Sequence, residues 1–310
     1  MTGRISILDF DKQDLFEATE PETIARTSRI WKKDIANFGP WTRIRTNRFG
    51  IPENELIWKP KHSGDGPAVL VCGNCSSTMD AAWHFIENRQ LAIWDSVIAV
   101  EQIAGRGQQK RQWISPAGNI HASWLWPLPK ITGKTKTDWG GMLSLVVGFI
   151  FARVLKKLNV PVQIKWPNDL LINNQKFAGI LVERRENNIL VGIGINVNYS
   201  PENSKLREEF AVPATSLLDQ GHEMAPLSLW MTLVEKGKFL FEQLIQTLTP
   251  SEFIKMIDMQ MAWIGKKVLI RQINADIFEA VILGLADDGG LRIKKGHIEE
   301  VMYSGSIIPV

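Results

Sequence analysis

The chain has 310 residues, long enough for about two domains, with 45% hydrophobic and 22% charged residues. That composition excludes a disordered or collagen-like chain, and the presence of only two cysteines excludes a disulfide scaffold. Lys+Arg 36 against Asp+Glu 33 gives a net charge of +3, too balanced to argue for nucleic acid by itself.

The N-terminus reads Met1-Thr2-Gly3-Arg4 and turns acidic at Asp9, Asp11 and Asp14, with no apolar stretch of the signal-peptide kind. The longest apolar run, Leu143 to Leu155, is interrupted by Arg153 and falls short of the roughly 20 residues that span a bilayer. A cytoplasmic protein without a membrane segment is expected.

Residues 1–66 carry 11 Lys/Arg against 10 Asp/Glu, a net charge of +1. A helical pattern from Pro21 to Phe38 is followed by the breakers Gly39-Pro40 and Gly50-Ile51-Pro52, and His62 to Pro67 reads as a linker. Ala68–Cys72 is then predicted as a strand and Met79–Gln90 as a helix, opened by Ser76-Ser77-Thr78, whose hydroxyls suit orphan backbone N–H groups. Ser96–Gln102 and Ile120–Trp126 are strands on either side of a loop containing Gly105-Arg106-Gly107. Gly140–Leu158 is a long helix.

Val162–Trp166, Leu170–Ile172, Phe177–Glu183 and Ile189–Val197 read as strands, the last three as an antiparallel meander with a turn at Asn173-Asn174-Gln175. Leu227–Leu248 is an amphipathic helix. After Trp263 only short strands remain, at Lys267–Arg271, Phe278–Leu285, Leu291–Lys294 and Glu299–Tyr303, which suggests a small all-β barrel. The fold class is therefore α+β, a mixed or antiparallel central sheet with helices and a β appendix. The expected domains are residues 1–66, an extension of open role, 67–260, and 261–310.

Several motifs fail. Cys72-Gly73-Asn74-Cys75 has no second C-x-x-C to complete a zinc site and reads as the end of a buried strand. Gly133-Lys134-Thr135 echoes a P-loop, but Leu128 stands where its first glycine is required. Gly192-Ile193-Gly194 and Gly105-Arg106-Gly107 lack the third glycine of a dinucleotide site.

Four blocks stand. The first is Gly105-Arg106-Gly107-Gln108-Gln109-Lys110-Arg111-Gln112-Trp113-Ile114-Ser115-Pro116, where glycines admit a ligand to the backbone and arginines can fork onto phosphate oxygens. Alone it could equally be a basic surface turn. Lys165-Trp166-Pro167-Asn168-Asp169 is the second, Lys176 to Glu183 (KFAGILVE) the third, and Gly192-Ile193-Gly194-Ile195-Asn196-Val197 the fourth. Lys165 and Lys176 could hold a carboxylate or phosphate, or be solvated strand-edge lysines.

In this order the four blocks resemble the signature of the biotin–protein ligase family, and Ser77-Thr78 matches its S-T pair. Thr215-Ser216-Leu217 and the terminal barrel are similar to it as well, so the resemblance covers the chain from about Ala68 onward. It implies a class II synthetase-like ligase fold with an SH3-like C-terminal barrel. The implied activity makes biotinyl-5′-adenylate from biotin and ATP with Mg2+, then transfers biotin to one lysine of a biotin carboxyl carrier domain.

The resemblance also implies roles. Lys176 would bridge the biotin carboxylate and the α-phosphate, with Arg106 as second cation. Ser77, Thr78 and Gln102 would bond the biotin head group, and Trp113 would form an apolar wall. Asn168, Asp169 and Asn196 would lie near nucleotide or metal, with Asp169 as metal ligand or as the group that positions the carrier amine. Met79, Gly105, Gly107, Gln108, Arg111, His121, Gly179 and Gly194 complete the expected binding residues.

Some positions depart from the family pattern: Gln108 replaces a common arginine, Lys110 a glycine, His121 a tyrosine and Met79 an asparagine. His121 would make biotin affinity pH-dependent, because imidazole titrates near neutrality. Ser306 lacks the acid common after Ser304-Gly305, which puts a barrel-to-site contact in question. The alternatives are a lipoate or octanoate ligase, a biotin-binding sensor, and a regulator using the N-terminal region, although the near-balanced charge of that region argues against DNA as a partner. A monomer or a homodimer is compatible with the sequence.

Overall fold

The computed structural model describes residues 4–46, 55–128, 139–202, 211–272 and 276–310. Gly50-Ile51-Pro52 and Gly133-Lys134-Thr135 lie outside the described residues, as does the side chain of Lys110. The chain forms two compact units. One comprises Met1–Leu128, Gly179–Tyr199 and Ser216–Lys238, and the other Pro129–Ala178, Ser200–Thr215 and Phe239–Val310.

The first unit opens with strand β1 (Arg4–Asp9), helices α1 (Pro21–Thr27) and α2 (Arg29–Phe38), and strands β2 (Trp41–Arg45) and β3 (Leu56–Pro60). Strand β4 (Ala68–Cys75), helix α3 (Thr78–Glu87), and strands β5 (Ser96–Gln102) and β6 (Ile120–Trp126) follow. In the second unit come α4 (Leu143–Lys156), β7 (Gln163–Lys165) and β8 (Asp169–Ile172). Strand β9 (Gln175–Arg185) leads back to the first unit, which also holds β10 (Asn188–Ile195). Helix α5 (Pro226–Thr247) passes into the second unit, followed by α6 (Pro250–Ile257) and strands β11 (Lys267–Arg271), β12 (Phe278–Leu285), β13 (Leu291–Lys295), β14 (Ile298–Met302) and β15 (Ser306–Pro309).

The first unit's sheet is mixed, in the order β2-β3-β1-β4-β5-β6-β10-β9. β1 runs parallel to β4 and β4 parallel to β5, whereas β5–β6 and β6–β10 are antiparallel. Residues 4–60 therefore add three strands to this sheet, with β1 paired directly to the strand that starts at Ala68. Strand β2 escapes the sequence pattern for a physical reason. β2 reads Trp-Thr-Arg-Ile-Arg at the sheet edge and has no buried residue to impose alternation.

The two faces of the sheet follow from the alternation in β6. Trp124 and Trp126 meet at 4.9 Å on one face, joined by Trp94 and by Trp230 of α5, whose indole donates to Ser96 Oγ at 3.0 Å. The opposite face carries His121, Ser123 and Leu125. Against Leu125 and Leu190 lies a cluster made from α3, including Met79, Ala82 and Phe85. Cys72 and Cys75 are free and buried in that cluster, as expected for a strand end.

In the second unit, β7 and β8 form an antiparallel hairpin. Asn173 and Asn174 turn the chain from β8 into β9 with φ of 50° and 60°, a conformation asparagine tolerates better than most residues. Helix α4 is apolar nearly all round and is correspondingly buried. The C-terminal strands form an antiparallel sheet, β14-β13-β12-β11-β15, around Val268, Ile270, Ile282, Leu291 and Ile293. This matches the expected SH3-like module.

Candidate active site

In the first unit, a directed chain of hydrogen bonds runs across the α3 face of the sheet. Ser123 Oγ donates to Thr78 Oγ1 at 2.9 Å, and Thr78 Oγ1 and its backbone N–H both donate to Gln102 Oε1, at 3.1 and 2.8 Å. Gln102 Nε2 donates to Ser115 Oγ at 2.8 Å, and Ser115 Oγ donates to the Trp113 carbonyl at 3.1 Å. Ser77 is the buried N-cap residue of α3, and its side chain makes no capping bond.

The floor beneath this chain is glycine. Gly192 stands opposite Ser123 and Gly194 opposite His121. A Cβ at Gly192 would come within 2.7 Å of Met79 Sδ, and a Cβ at Gly194 would collide with the Trp113 ring. Both positions are glycine because side chains from above rest directly on the strand. Trp113 is placed by its own loop, in which its N–H donates to the Gly105 carbonyl at 2.8 Å and Gly107 N–H donates to the Arg111 carbonyl at 2.7 Å.

Arg106 leaves that loop toward α3. Its Nη2 lies 2.8 Å from Asp80 Oδ1 and 3.8 Å from Glu183 Oε1, and its side chain is 39% exposed. Arg111 stays within the loop, donating to Gln109 Oε1. Gln108 is half-buried at the start of a short 3-10 turn there.

His121 is fully buried, with Nε2 3.1 Å from the Pro116 carbonyl. Burial disfavours the imidazolium and lowers its pKa to about 4, with the Pro116 carbonyl opposing weakly. This corrects the expectation of a neutral-range switch, because the ring stays uncharged across the physiological window.

The second unit gathers a different set. Lys165 and Asp169 face each other across the β7–β8 hairpin, with Trp166, Pro167 and Asn168 forming its turn. Lys165 Nζ lies 2.8 Å from Asp169 Oδ2, and Lys176 Nζ lies 2.6 Å from Asp169 Oδ1. Burial pushes the Asp169 carboxyl up, but the ammonium groups of Lys165 and Lys176 together outweigh it and hold the carboxyl well below the usual carboxylate range. The segment 213–215 fixes the Lys176 backbone, where Lys176 N–H donates to the Pro213 carbonyl at 2.7 Å and Thr215 N–H donates to the Lys176 carbonyl at 2.9 Å.

Both Asp169 oxygens thus carry ammonium partners, and among the described residues no group of three His, Cys, Asp or Glu side chains could hold a metal ion. Such a donor set does not fit Asp169 as a direct magnesium ligand. The C-terminal module does reach the second block, through Trp166 Nε1, which donates to the Gly289 carbonyl at 3.0 Å.

Thr78, Gln102, Met79, Trp113, Gly105 and Gly194 are therefore brought together in the first unit, and Asp169 and Lys176 in the second. Asn196 is buried in the first unit, its carbonyl accepting from Leu217 N–H at 2.9 Å, and Gly179 is half-buried in β9. Sequence reading passed over Ser115 and Ser123, although Ser123 lies on the face of His121 by simple alternation. It also passed over Asp80, which sits in the first turn of α3, where a carboxylate is favoured.

Comparison with known proteins bears on this geometry. Residues 72–200 match the model of the biotin/lipoate A/B protein ligase family. The bifunctional ligase/repressor BirA of Escherichia coli is 41% identical over 224 residues, covering 68% of this chain, and the chain spans 59% of that relative's length. The biotin--[acetyl-CoA-carboxylase] ligase of Paracoccus denitrificans is 26% identical over 64% of this chain and 83% of its own. The Aquifex aeolicus biotin protein ligase, solved with biotin and ATP, shares the fold, with a TM-score of 0.63 at 23% identity over 78% of this chain and 99% of that one. Residues 72–200, carrying the glycine loop, the K-W-P-N-D block and the glycine floor, are thus the part of this chain that is similar to the biotin/lipoate A/B protein ligase family.

Proposed function

We propose that the chain is a biotin–[biotin carboxyl carrier protein] ligase. It joins biotin to the α-phosphate of ATP, supplied as its magnesium complex, and passes the biotinyl group to one lysine of a carrier domain belonging to a biotin-dependent carboxylase. The observation that carries this reading is the Asp169 carboxylate held between Lys165 and Lys176, two cations on one buried anion with a formal surplus of one positive charge. A surplus of that kind suits an anionic ligand.

In the first step a biotin carboxylate oxygen bonds to the α-phosphorus and the bond to pyrophosphate breaks. Two anions must meet, and Lys176 supplies the positive charge that lets them. Asp169 holds the Lys176 ammonium in place. Arg106 is the second cation, drawn from Asp80 onto phosphate. In the second step the neutral carrier amine attacks the acyl carbon, its nitrogen loses a proton to solvent, and AMP leaves with the bonding electrons.

Thr78, Gln102 and Ser77 bind the head group, over the floor that includes Gly194 and beside Met79 and His121. Gly105, Gly107 and Gly179 give backbone access, and Trp113 excludes water. Gln108, Arg111, Asn168 and Asn196 serve the nucleotide. Magnesium is carried by the nucleotide phosphates rather than by Asp169.

For residues 4–60 we propose a supporting role rather than DNA reading. Helices α1 and α2 are separated by Ser28 alone, which caps α2 by accepting from Trp31 N–H at 3.2 Å, whereas a helix-turn-helix has a turn of about three or four residues. Asp34 of α2 accepts from the N–H groups of Leu227 and Ser228 at the start of α5, at 2.7 and 3.0 Å. Arg29 and Lys33, two of the three basic residues of α2, face Glu223 at 3.2 and 3.9 Å. Among the described residues no helix is long and apolar enough to cross a membrane.

Labelled biotin, ATP, magnesium and a carrier domain test the reaction. Label on the carrier, absent when its acceptor lysine is replaced by arginine, is expected. Label from lipoate or octanoate instead of biotin overturns the assignment.

A further inference from the structure

His121 and Met79 are departures from the pattern of the resembled family that sit buried beside the polar chain of the first unit, and of the two only His121 carries a polar side chain that can pair with a ligand N–H. Its cross-strand partners are Gly194 on β10 and Ala99 on β5, so its ring projects from the same face as the Gly194 floor. Ser123, two residues on, shares that face and donates to Thr78. Pro116, the residue after Ser115, supplies the carbonyl 3.1 Å from His121 Nε2. A carbonyl oxygen only accepts, so Nε2 must carry the ring's hydrogen. In the neutral ring, Nδ1 is then a bare acceptor. It is buried and has no hydrogen-bond partner among the described residues.

A buried acceptor left unsatisfied is costly, and such groups mark places where a ligand donor is expected. From this we propose that His121 Nδ1 accepts a hydrogen bond from an N–H of the bound acid's head group, and that it selects cyclic-urea acids over acids whose far end has no N–H or O–H. The inference rests on the biotin reading and makes it more specific. Biotin's ureido ring offers two N–H donors, whereas lipoate and octanoate offer none at that end. A site built to pair a polar group rejects the analogue lacking it, because the site's own group stays unpaired. Selection of roughly tenfold to a hundredfold is expected from this one contact.

The test uses the full chain, with biotin, ureido N-methylated biotins and octanoate as probes in calorimetry. Wild type is expected to bind biotin at least tenfold tighter than one of the two N-methyl isomers, and His121→Phe to erase that difference by weakening biotin. An unchanged biotin-to-N-methyl ratio in His121→Phe overturns the role of His121. Failure of wild type to bind biotin at all sinks the ligase reading instead. Should His121→Phe not fold, 15N resonances of histidine-labelled wild type decide. Nδ1 should begin at the position of an unprotonated, unbonded nitrogen and shift by several ppm on adding biotin but not octanoate. An Nδ1 resonance that biotin leaves in place overturns the proposal.

Discussion

Lys176 Nζ lies 2.6 Å from Asp169 Oδ1, and the carboxylate's other oxygen is taken by Lys165 at 2.8 Å. The lysine offered for catalysis is thus held by a buried carboxylate whose remaining charge is answered elsewhere, which fixes the ammonium in place. A unit charge about 4 Å from another is worth roughly 4 kcal/mol at an effective dielectric near 20, on the order of 10³ in rate. Lys176→Ala is expected to slow adenylate formation by about that factor in single-turnover assays. A loss under roughly tenfold contradicts the bridging role.

Asp169→Asn removes the anion from between two buried lysines and leaves like charges facing each other. Breaking a buried pair by removing one partner costs about 3–5 kcal/mol. Chemical denaturation is expected to show a loss of that order, larger than for Lys165→Met. A variant as stable as wild type means the cluster is not electrostatically coupled.

His121 makes a prediction about stability. Its folded pKa is lowered to about 4, whereas an unfolded histidine titrates near 6.5, so between those values the unfolded chain binds more protons. Stability should therefore fall as pH drops from about 6.5 to 4, by about 3 kcal/mol from this residue. His121→Phe is expected to flatten the denaturation midpoint over that range. An equal slope in both proteins rejects the burial argument.

Gly194→Ala is expected to cost about 1–3 kcal/mol, because the methyl meets the Trp113 ring. The cycle with Trp113→Ala separates that collision from a general defect. The paired variant should recover most of the loss, whereas strict additivity of the two substitutions argues that Trp113 does not rest on Gly194 in solution.

Arg106 pairs with Asp80 at a half-exposed position, where ion pairs contribute about 0–1 kcal/mol. Arg106→Ala should leave the unfolding free energy within about 1 kcal/mol of wild type while raising the apparent KM for ATP by about tenfold or more. A destabilised variant with normal kinetics assigns Arg106 to the fold instead.

Much of this was legible in the residues. Ser96–Gln102 and Ile120–Trp126 have the predicted limits because alternation and burial agree there. The helix read as Gly140–Leu158 begins instead at Leu143, after a 3-10 turn, where no capping side chain marks its start. The helix α6 was missed although Thr249 and Glu252 form a capping box, since its eight residues offer little periodicity. At the site, the glycines and Lys176 were visible as motif letters. What Gly194 lies under, what holds Lys176, and which nitrogen of His121 is engaged depend on contacts between distant segments, which no local pattern encodes.

Pyrophosphate release from ATP and magnesium, with biotin, lipoate or octanoate as the acid, bears most directly on the proposed chemistry. Release with biotin alone, reduced by about 10³ in Lys176→Ala, is the expected result. Release driven by lipoate or octanoate, or tight biotin binding without any release, contradicts it.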